Sequence, residues 1–555
     1  MRLKQIKLNG KISQLSNIVI VIGANNSGKT KLLDNLNDEL MNSYERSSSS
    51  DYARVIMGTP YWNELTDENY FEFGADEVNY WLDNHEDWRM PQNQPNGGQM
   101  LMRSKKHILQ WAGGEPIALN QDEITSIKTD VNNLSEWLVK LKKSHIEYAG
   151  IEVRFTASNV LDNVDAANDD NPNLIYIQKK TVNNLNKHIS KLFSKILVLL
   201  KVSKTAYSLI LIDDNQTDIP VWAKSNTFEA DTKTIKDHTK FKDKYPNGSI
   251  GLQSHGTRAS LSLLMILADA TRKIVLIDEP ESHIYPVARK YLARQIALES
   301  VDRQFFIVTH DVDFLEGIAN SRKDFTVIKV NRLRETKVID FNATERRRTS
   351  SELKNSKALR AGFYDVAIFV EGTGDKYVYD SILVRKKLIP QKIEYGLIDC
   401  DGKDKIADSV KFALDIGTAV AVITDFDTLL TSKKIAGKMV GHIDRIIDPF
   451  VTDDKIKKLA EEVRKIMKGR PNKNKGLRAD GLTKSDTAKI NQLLDELKKV
   501  GIFVVPYGEL YSWFGTKSKA DLAVEDLRNR YFNNSKNYVD LTNFLRQVSI
   551  FVSNQ

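Results

Sequence analysis

Apolar residues in this chain gather into short, nearly unbroken runs, and between the runs they recur every three or four positions. The runs include NIVIVIG (17–23), YSLILID (207–213), KIVLID (273–278), QFFIVTH (304–310), YDVAIFVEG (364–372), KIEYGLID (392–399), AVAVITDFD (419–427) and GIFVVPYG (501–508). Runs this short, bounded by Gly, Asp or Asn, are expected to be buried strands. Shorter strands are expected at LKQIKL (3–8), LIYIQ (174–178) and IPVWA (219–223). Helical spacing covers 30–41, 181–203, 256–271, 286–299, 375–386 and 405–415. Strands that alternate with helices predict an α/β fold, sheets covered by helices.

The alternation breaks twice. From about 42 to 170 the sequence turns polar and Asn-rich, with helical patterns near 121–147, which predicts a helical insertion in a first domain of residues 1–345. The polar segment FNATERRRTSSELKNSKA (341–358) predicts a connector, taken as 346–360, and a second α/β series fills 361–555. A chain of 555 residues exceeds one core at about 100–200 residues per domain. No stretch approaches the roughly 18 apolar residues of a membrane span, so no membrane partner is expected. The opening MRLKQIKLNG lacks the apolar core of a secretory signal and Cys400 is the only cysteine, so a cytoplasmic setting is expected.

Charge changes this picture only locally. The net +8 is a weak hint of a polyanionic partner, but residues 451–500 hold 14 Lys and Arg against 8 Asp and Glu. Within them KGRPNKNKGLR (468–478) carries Lys468, Arg470, Lys473, Lys475 and Arg478 with no acid. A solvated loop and a phosphate-backbone contact both fit.

Candidate chemistry falls at the ends of the runs. GANNSGKT (23–30) fits G-x-x-x-x-G-K-[ST] and lies between an expected strand and an expected helix. Backbone N–H groups around Gly23, Asn26, Ser27 and Gly28 would cradle phosphates, Lys29 would reach the terminal ones, and Thr30 would ligate Mg2+. IVLIDEPESH supplies Asp278 for the Mg2+ and Glu279 to polarise an attacking water; His310, after a further strand, is a candidate sensor of the terminal phosphate. ATP is the expected cofactor. In the second series Glu371 follows one apolar run, Asp375 lies four residues on, and Asp425 and Asp427 end another. Alternate residues of a strand point the same way, so the last two should converge. Four converging carboxylates call for a hard divalent cation, Mg2+ or Mn2+.

The first set resembles the ABC-type ATPases of the SMC-like branch. That resemblance implies a signature at LQSHGTR (252–258), with Ser254 and Gly256 covering the nucleotide of a second copy, hence a homodimer or higher homo-oligomer; His255 departs from the usual small residue. It also suggests Gln178 as a link between Mg2+ and the insertion. The second set resembles the Toprim fold, and the two in one chain resemble the overcoming-lysogenization-defect (OLD) nucleases. The resemblance implies metal-dependent cleavage of DNA, with Glu371 as base or ligand and Asp375, Asp425 and Asp427 as ligands. It further implies a phosphate-steadying lysine, Lys517 or Lys519, and an acid at Glu509, with Tyr511 where a second acid often stands. Gly402 and Lys403 resemble a recurring pair, and Asp401 is a further candidate ligand. Relatives of this kind, Gabija-like or retron effectors, act in antiphage defence beside a restraining accessory protein or a reverse transcriptase with its nucleic acid. Two rivals remain: an SMC-like DNA clamp without cleavage, which the intact acids oppose, and a topoisomerase or primase, for which no nucleophile or polymerising site is recognisable.

Overall fold

The computed structural model describes residues 5–8, 11–42, 45–46, 52–57, 69–74, 146–149, 164–165, 179–201, 206–216, 219–220, 232–268, 274–322, 324–332, 336–341, 356–435, 438–450, 454–510 and 536–555. The chain divides into two compact units. One comprises Met1–Ile22, Gly28–Ile328 and Val338–Glu345; the other comprises Gly23–Ser27, Lys329–Lys337 and Arg346–Gln555.

The first unit is built on a six-stranded sheet. Its elements are β1 (Ile18–Gly23), α1 (Lys29–Asn42), β2 (Ile146–Ala149), α2 (Lys179–Phe193), β3 (Lys195–Lys201), β4 (Ala206–Asp213), α3 (His255–Ala268), β5 (Ile274–Asp278), α4 (Pro286–Glu299), β6 (Gln304–Val308), α5 (Val312–Ser321), β7 (Phe325–Val330) and β8 (Lys337–Phe341). The order is β8-β7-β1-β6-β5-β2, and β1, β6, β5 and β2 run parallel. Every residue of β1, β5 and β6 is buried, as expected of strands covered on both faces. The apolar runs are therefore continuous rather than alternating.

One expectation needs correction here. The helix expected over 181–203 ends at Phe193; Ser194 takes a left-handed φ of 52°, and KILVLLK becomes β3, paired antiparallel with β4 over seven residues. Its apolar run gains more from a ladder than from extending the helix. Most of the stretch expected to be a helical insertion lies outside the described residues, and those described from Glu45 on are strands. Glu45–Arg46, Tyr52–Met57 and Asn69–Gly74 join Gln5–Leu8 and Lys11–Gln14 in an antiparallel sheet, and β2 joins the main sheet. Alternation such as YARVIM and NYFEFG suits such pairing. The helical patterns up to 145 lie outside the described residues, as does LIYIQ.

The second unit carries α6 (Ser356–Leu359), β9 (Val366–Val370), α7 (Thr373–Arg385), β10 (Tyr395–Asp399), α8 (Lys403–Asp415), β11 (Ala419–Thr424), α9 (Asp427–Leu430), α10 (Lys455–Met467), α11 (Lys484–Lys499), β12 (Ile502–Val504) and α12 (Lys536–Ser553). Four parallel strands lie in the order β10-β9-β11-β12. Val366, Ile368 and Val370 face a core that includes Val378 and Ile382 of α7 and Leu541, Leu545 and Val548 of α12. Ala367 and Phe369 face the opposite core, with Ile406 of α8, Val463 of α10 and Leu493 of α11. All five β9 residues are fully buried, and burial contributes about 1.5–3 kcal/mol for each large side chain. Packing on both faces therefore fixes the strand end that carries Glu371. The chain leaves central β9 for β10 on one side and returns to β11 on the other. That switch opens a crevice at the carboxyl ends of β9 and β11, where parallel sheets place ligands.

Candidate functional site

The nucleotide loop leaves β1 and enters α1 as its sequence predicts. Gly28 has a φ of +94°, a left-handed conformation that favours glycine, and opens the helix whose first residue is Lys29. Lys29 is buried. The Ser27 hydroxyl is buried in the loop and makes no hydrogen bond, a donor that suits a phosphate oxygen. Thr30 Oγ1 donates to Asp278 Oδ1 over 3.4 Å, joining the loop to the end of β5. Next to Asp278, Glu279 takes a left-handed φ of 45°, and its N–H donates to the Val308 carbonyl at 2.9 Å. Its carboxylate accepts from Ser282 Oγ at 2.9 Å and stands 3.8 Å from His310 Nε2. Thr30 with Asp278, and Glu279 with His310, are thus brought together from elements far apart in sequence.

Sequence reasoning missed Glu281. Its Oε1 accepts from the His310 N–H at 2.7 Å, and burial pushes its carboxyl up to about 7. The signal was present in DEPESH, where only the first two acids had been given a role. Ser254 opens α3 in an exposed position, its Oγ accepting from the Thr257 N–H at 3.2 Å, beside Leu252, which is 67% exposed. A Cβ on Gly256 would come within 2.7 Å of the His283 carbonyl, so a glycine lets α3 pack against the DEPESH turn. Gln178 lies outside the described residues.

The carboxylate cluster sits in the crevice of the second sheet. Asp425 and Asp375 are 6% and 3% exposed. Burial first, and then the charges of Glu371, Asp375, Asp427 and Glu509, push the Asp425 carboxyl up to about 9. The strand argument for Asp425 and Asp427 needs revision, because β11 ends at Thr424, Phe426 is helical (φ −61°, ψ −30°) and Asp427 opens α9. A strand-to-helix turn, and not strand alternation, brings the two acids to the same crevice. Asp375 Oδ2 accepts from the Gly372 N–H at 3.0 Å at the start of α7. Glu371 Oε1 accepts from the hydroxyls of Thr424 and Thr428, each at 2.8 Å.

Among the described residues no group of three or more His, Cys, Asp or Glu is arranged so that it could hold a metal ion as it stands. Here Glu371 is drawn to two hydroxyls, and Lys403 Nζ bonds Asp427 Oδ2. The donor set nonetheless fits a hard cation: Asp427 Oδ1 is buried without a hydrogen bond, and Asp425 is crowded by four other acids. Lys403, Thr424 and Thr428 are the supporting groups that the motif itself did not single out as partners of the acids. Asp401 is 52% exposed and pairs with Lys357 of α6, which also binds Asp399. Glu509 is exposed. Lys517, Lys519 and Tyr511 lie outside the described residues. Burial pushes the Cys400 thiol up to about 12, which leaves it inert as a nucleophile.

A P-loop joined to strand-end acids on one α/β sheet, followed by a parallel sheet with acids at its carboxyl end, defines an ATPase coupled to a Toprim-type domain. Residues 18–316, more than half of the chain, match the family described as "AAA domain, putative AbiEii toxin, Type IV TA system". Residues 363–427 match "Overcoming lysogenization defect protein-like, TOPRIM domain". The chain belongs to the first family and carries the OLD-like Toprim domain behind it, the ATPase–Toprim pairing of the OLD proteins. Among solved structures it is similar to an SMC head bound to the C-terminal winged-helix domain of ScpA (12% identity, 62% of this chain and 99% of that one, TM-score 0.29). It is also similar to the SMC head domain from Thermotoga maritima (13%, 62% and 100%, TM-score 0.28). A third likeness is to an Smc head with an extended coiled coil, bound to the C-terminal domain of ScpA derived from Pyrococcus furiosus (13%, 64% and 99%, TM-score 0.29). Comparison with curated proteins finds no match. No described helix is long and apolar enough to cross a membrane.

Proposed function

We propose that this protein is an ATP-regulated, divalent-metal-dependent DNA endonuclease that acts in antiphage defence. The observation that carries the reading is the crowding of Asp425 by Glu371, Asp375, Asp427 and Glu509 in the crevice of a Toprim sheet. A buried carboxyl surrounded by acids is held protonated by burial first and by its neighbours second, and is prepared for a cation. Glu371, Asp375, Asp425 and Asp427 would hold Mg2+ or Mn2+, which when bound offsets the charge that builds on a phosphodiester as it is cut. Thr424 and Thr428 orient Glu371, the group that would ready the nucleophile, and Lys403 steadies Asp427.

At the P-loop, Lys29 and the residues from Gly23 to Gly28 would bind the phosphates, Thr30 and Asp278 the Mg2+, Glu279 would position the attacking water and His310 would sense the terminal phosphate. The exposed Ser254 and Leu252 suit a surface that meets the nucleotide of a second copy, so ATP would hold a homodimer in one of two arrangements. Nucleotide then gates cutting only through its differential affinity for those arrangements. DNA is the substrate, and a defence partner, protein or reverse transcriptase with its nucleic acid, would restrain the enzyme in the cytoplasm. The test is to incubate the purified full chain with supercoiled plasmid and Mg2+ or Mn2+, with and without ATP. Cutting whose rate responds to ATP supports the reading; no cutting of DNA under any of these conditions removes it.

A further inference from the structure

The basic run KGRPNKNKGLR left the sequence with two readings, and its placement separates them. Between α10 and α11 the chain makes a short turn at Lys473–Arg478, exposed over its first three residues and packed inward from Gly476 on except at Arg478. Leu477 and Ala479 face inward onto the core beneath β11, whereas Lys473, Lys475 and Arg478 are exposed. Arg470, from the same run, is held by the carbonyls of Ile466 and Gly481 and by Asp486 at 2.8 Å, so it braces the turn.

The turn is fastened to the acid crevice. The Leu477 N–H donates to the Pro506 carbonyl at 2.9 Å. Gly476 has a φ of +59°, and a Cβ there would come within 2.9 Å of the Phe426 ring and closer still to the Pro506 carbonyl. Phe426 is the residue between Asp425 and Asp427, and its own N–H donates to the Gly508 carbonyl at 2.8 Å. The Arg478 guanidinium stacks on Tyr507, 4.3 Å from the ring centroid, two residues before Glu509. Three exposed cations therefore stand beside a crevice lined by five acids, on a turn whose backbone touches the segments that carry three of those acids.

We infer that Lys473, Lys475 and Arg478 form the phosphate-backbone surface that guides duplex DNA to the carboxylate crevice, with Gly476 setting its register. Acids that bind a cation repel DNA, so a nuclease of this kind needs cations alongside the crevice to hold the strand there; the turn supplies them without entering the acid cluster. The inference rests on the nuclease reading for what the surface delivers, but binding can be measured without cleavage.

The experiment uses the full chain and a short fluorescent DNA duplex in chelator, with salt titrated. Replacing Lys473, Lys475 and Arg478 together by Ala should lower the slope of log K against log salt by about 2.7, since each lost contact on B-DNA is worth roughly 0.9. Between about 50 and 200 mM salt the variant would then lose about 40-fold less affinity than the wild type. Removing Lys498 and Lys499 instead, at the far end of α11 where β12 begins, should leave the slope unchanged. Gly476→Ala keeps every cation, so it should keep the salt slope while lowering kcat for plasmid cutting. An unchanged slope in the triple variant overturns the inference, as does an equal fall on removing Lys498 and Lys499. It is also overturned if the slope falls only on duplex RNA, or if Gly476→Ala cuts at the wild-type kcat. If the wild type never cuts, the Gly476→Ala comparison does not apply, and a salt slope that still falls by about 2.7 in the triple variant would support this surface and remove the nuclease reading.

Discussion

Binding of a divalent cation in the Toprim crevice should expel a proton, and Asp425 sets how many. With its carboxyl at about 9, Asp425 holds its proton throughout the neutral range, whereas an unfolded Asp gives it up near 3.9. In the cation-free fold the native chain therefore binds more protons than the unfolded one between about pH 4 and 9. Its contribution to stability declines as pH rises through that window. A cation reverses the preference, because it binds the ionised carboxylate and must displace the proton to do so. At pH 7 Asp425 is almost fully protonated, so one bound cation should release about one proton from the acid cluster, and affinity should rise about tenfold per pH unit. Between about pH 6 and 8 that amounts to about 100-fold.

The assay is calorimetric titration of the full chain with Mn2+ at pH 7, in two buffers of different ionisation enthalpy, so that the difference in heat counts the protons. Repeating it at several pH values gives the slope. Asp425→Asn should bind weakly, with no proton release from this site. Mn2+ binding to wild type with no released proton and an affinity flat across that range would refute the reasoning, because it would mean that the cation does not meet Asp425.

Thr428→Val removes one of the hydroxyls that orient Glu371 and should lower Mn2+ affinity or cutting by about 10- to 100-fold with little change in fold; wild-type values would show that Glu371 needs no such support. Lys29→Ala should abolish ATP turnover, whereas Glu279→Gln should slow it by about 10²–10⁴-fold with binding retained, read as phosphate release beside nucleotide binding. Mixing Lys29→Ala chains with Ser254→Arg chains should regain part of the ATPase lost by each, since a mixed pair builds one whole composite site, and a fully active monomer would contradict this. Glu281, with its carboxyl raised to about 7, keeps its proton in the fold while the unfolded chain loses it near 4.5, so stability should fall as pH rises between those values. Glu281→Gln should flatten that dependence in thermal unfolding.

The two sheets were legible because their strands are buried on both faces, so VAIFV has no polar position and IVLID has one only at its functional end, Asp278. The P-loop was legible because its glycines and Lys29 answer to backbone and charge requirements that hold within eight residues. Strand ends were read too far: the run AVAVITDFD gives no sign in its polarity that Phe426 turns helical, and Phe426 is apolar because it is buried beneath the basic turn, not because the strand continues. The helix expected over 181–203 failed for a related reason, since KILVLLK satisfies either period until Ser194 turns left-handed and β4 supplies a partner. Supporting groups such as Thr428, Lys403 and Glu281 were hidden because their importance lies in what they touch across 57, 24 and 29 residues.

The central claim, that acids in the second unit cut DNA while the first unit handles ATP, is tested most directly by Asp425→Ala. Conversion of supercoiled plasmid to nicked or linear form and release of phosphate from ATP are measured in the same preparations of wild type and variant. The variant should lose cutting and keep ATP hydrolysis. A variant that cuts as well as the wild type, or a wild type that cuts no DNA with any metal or nucleotide, would contradict the claim and leave an ATP-dependent DNA clamp as the better description.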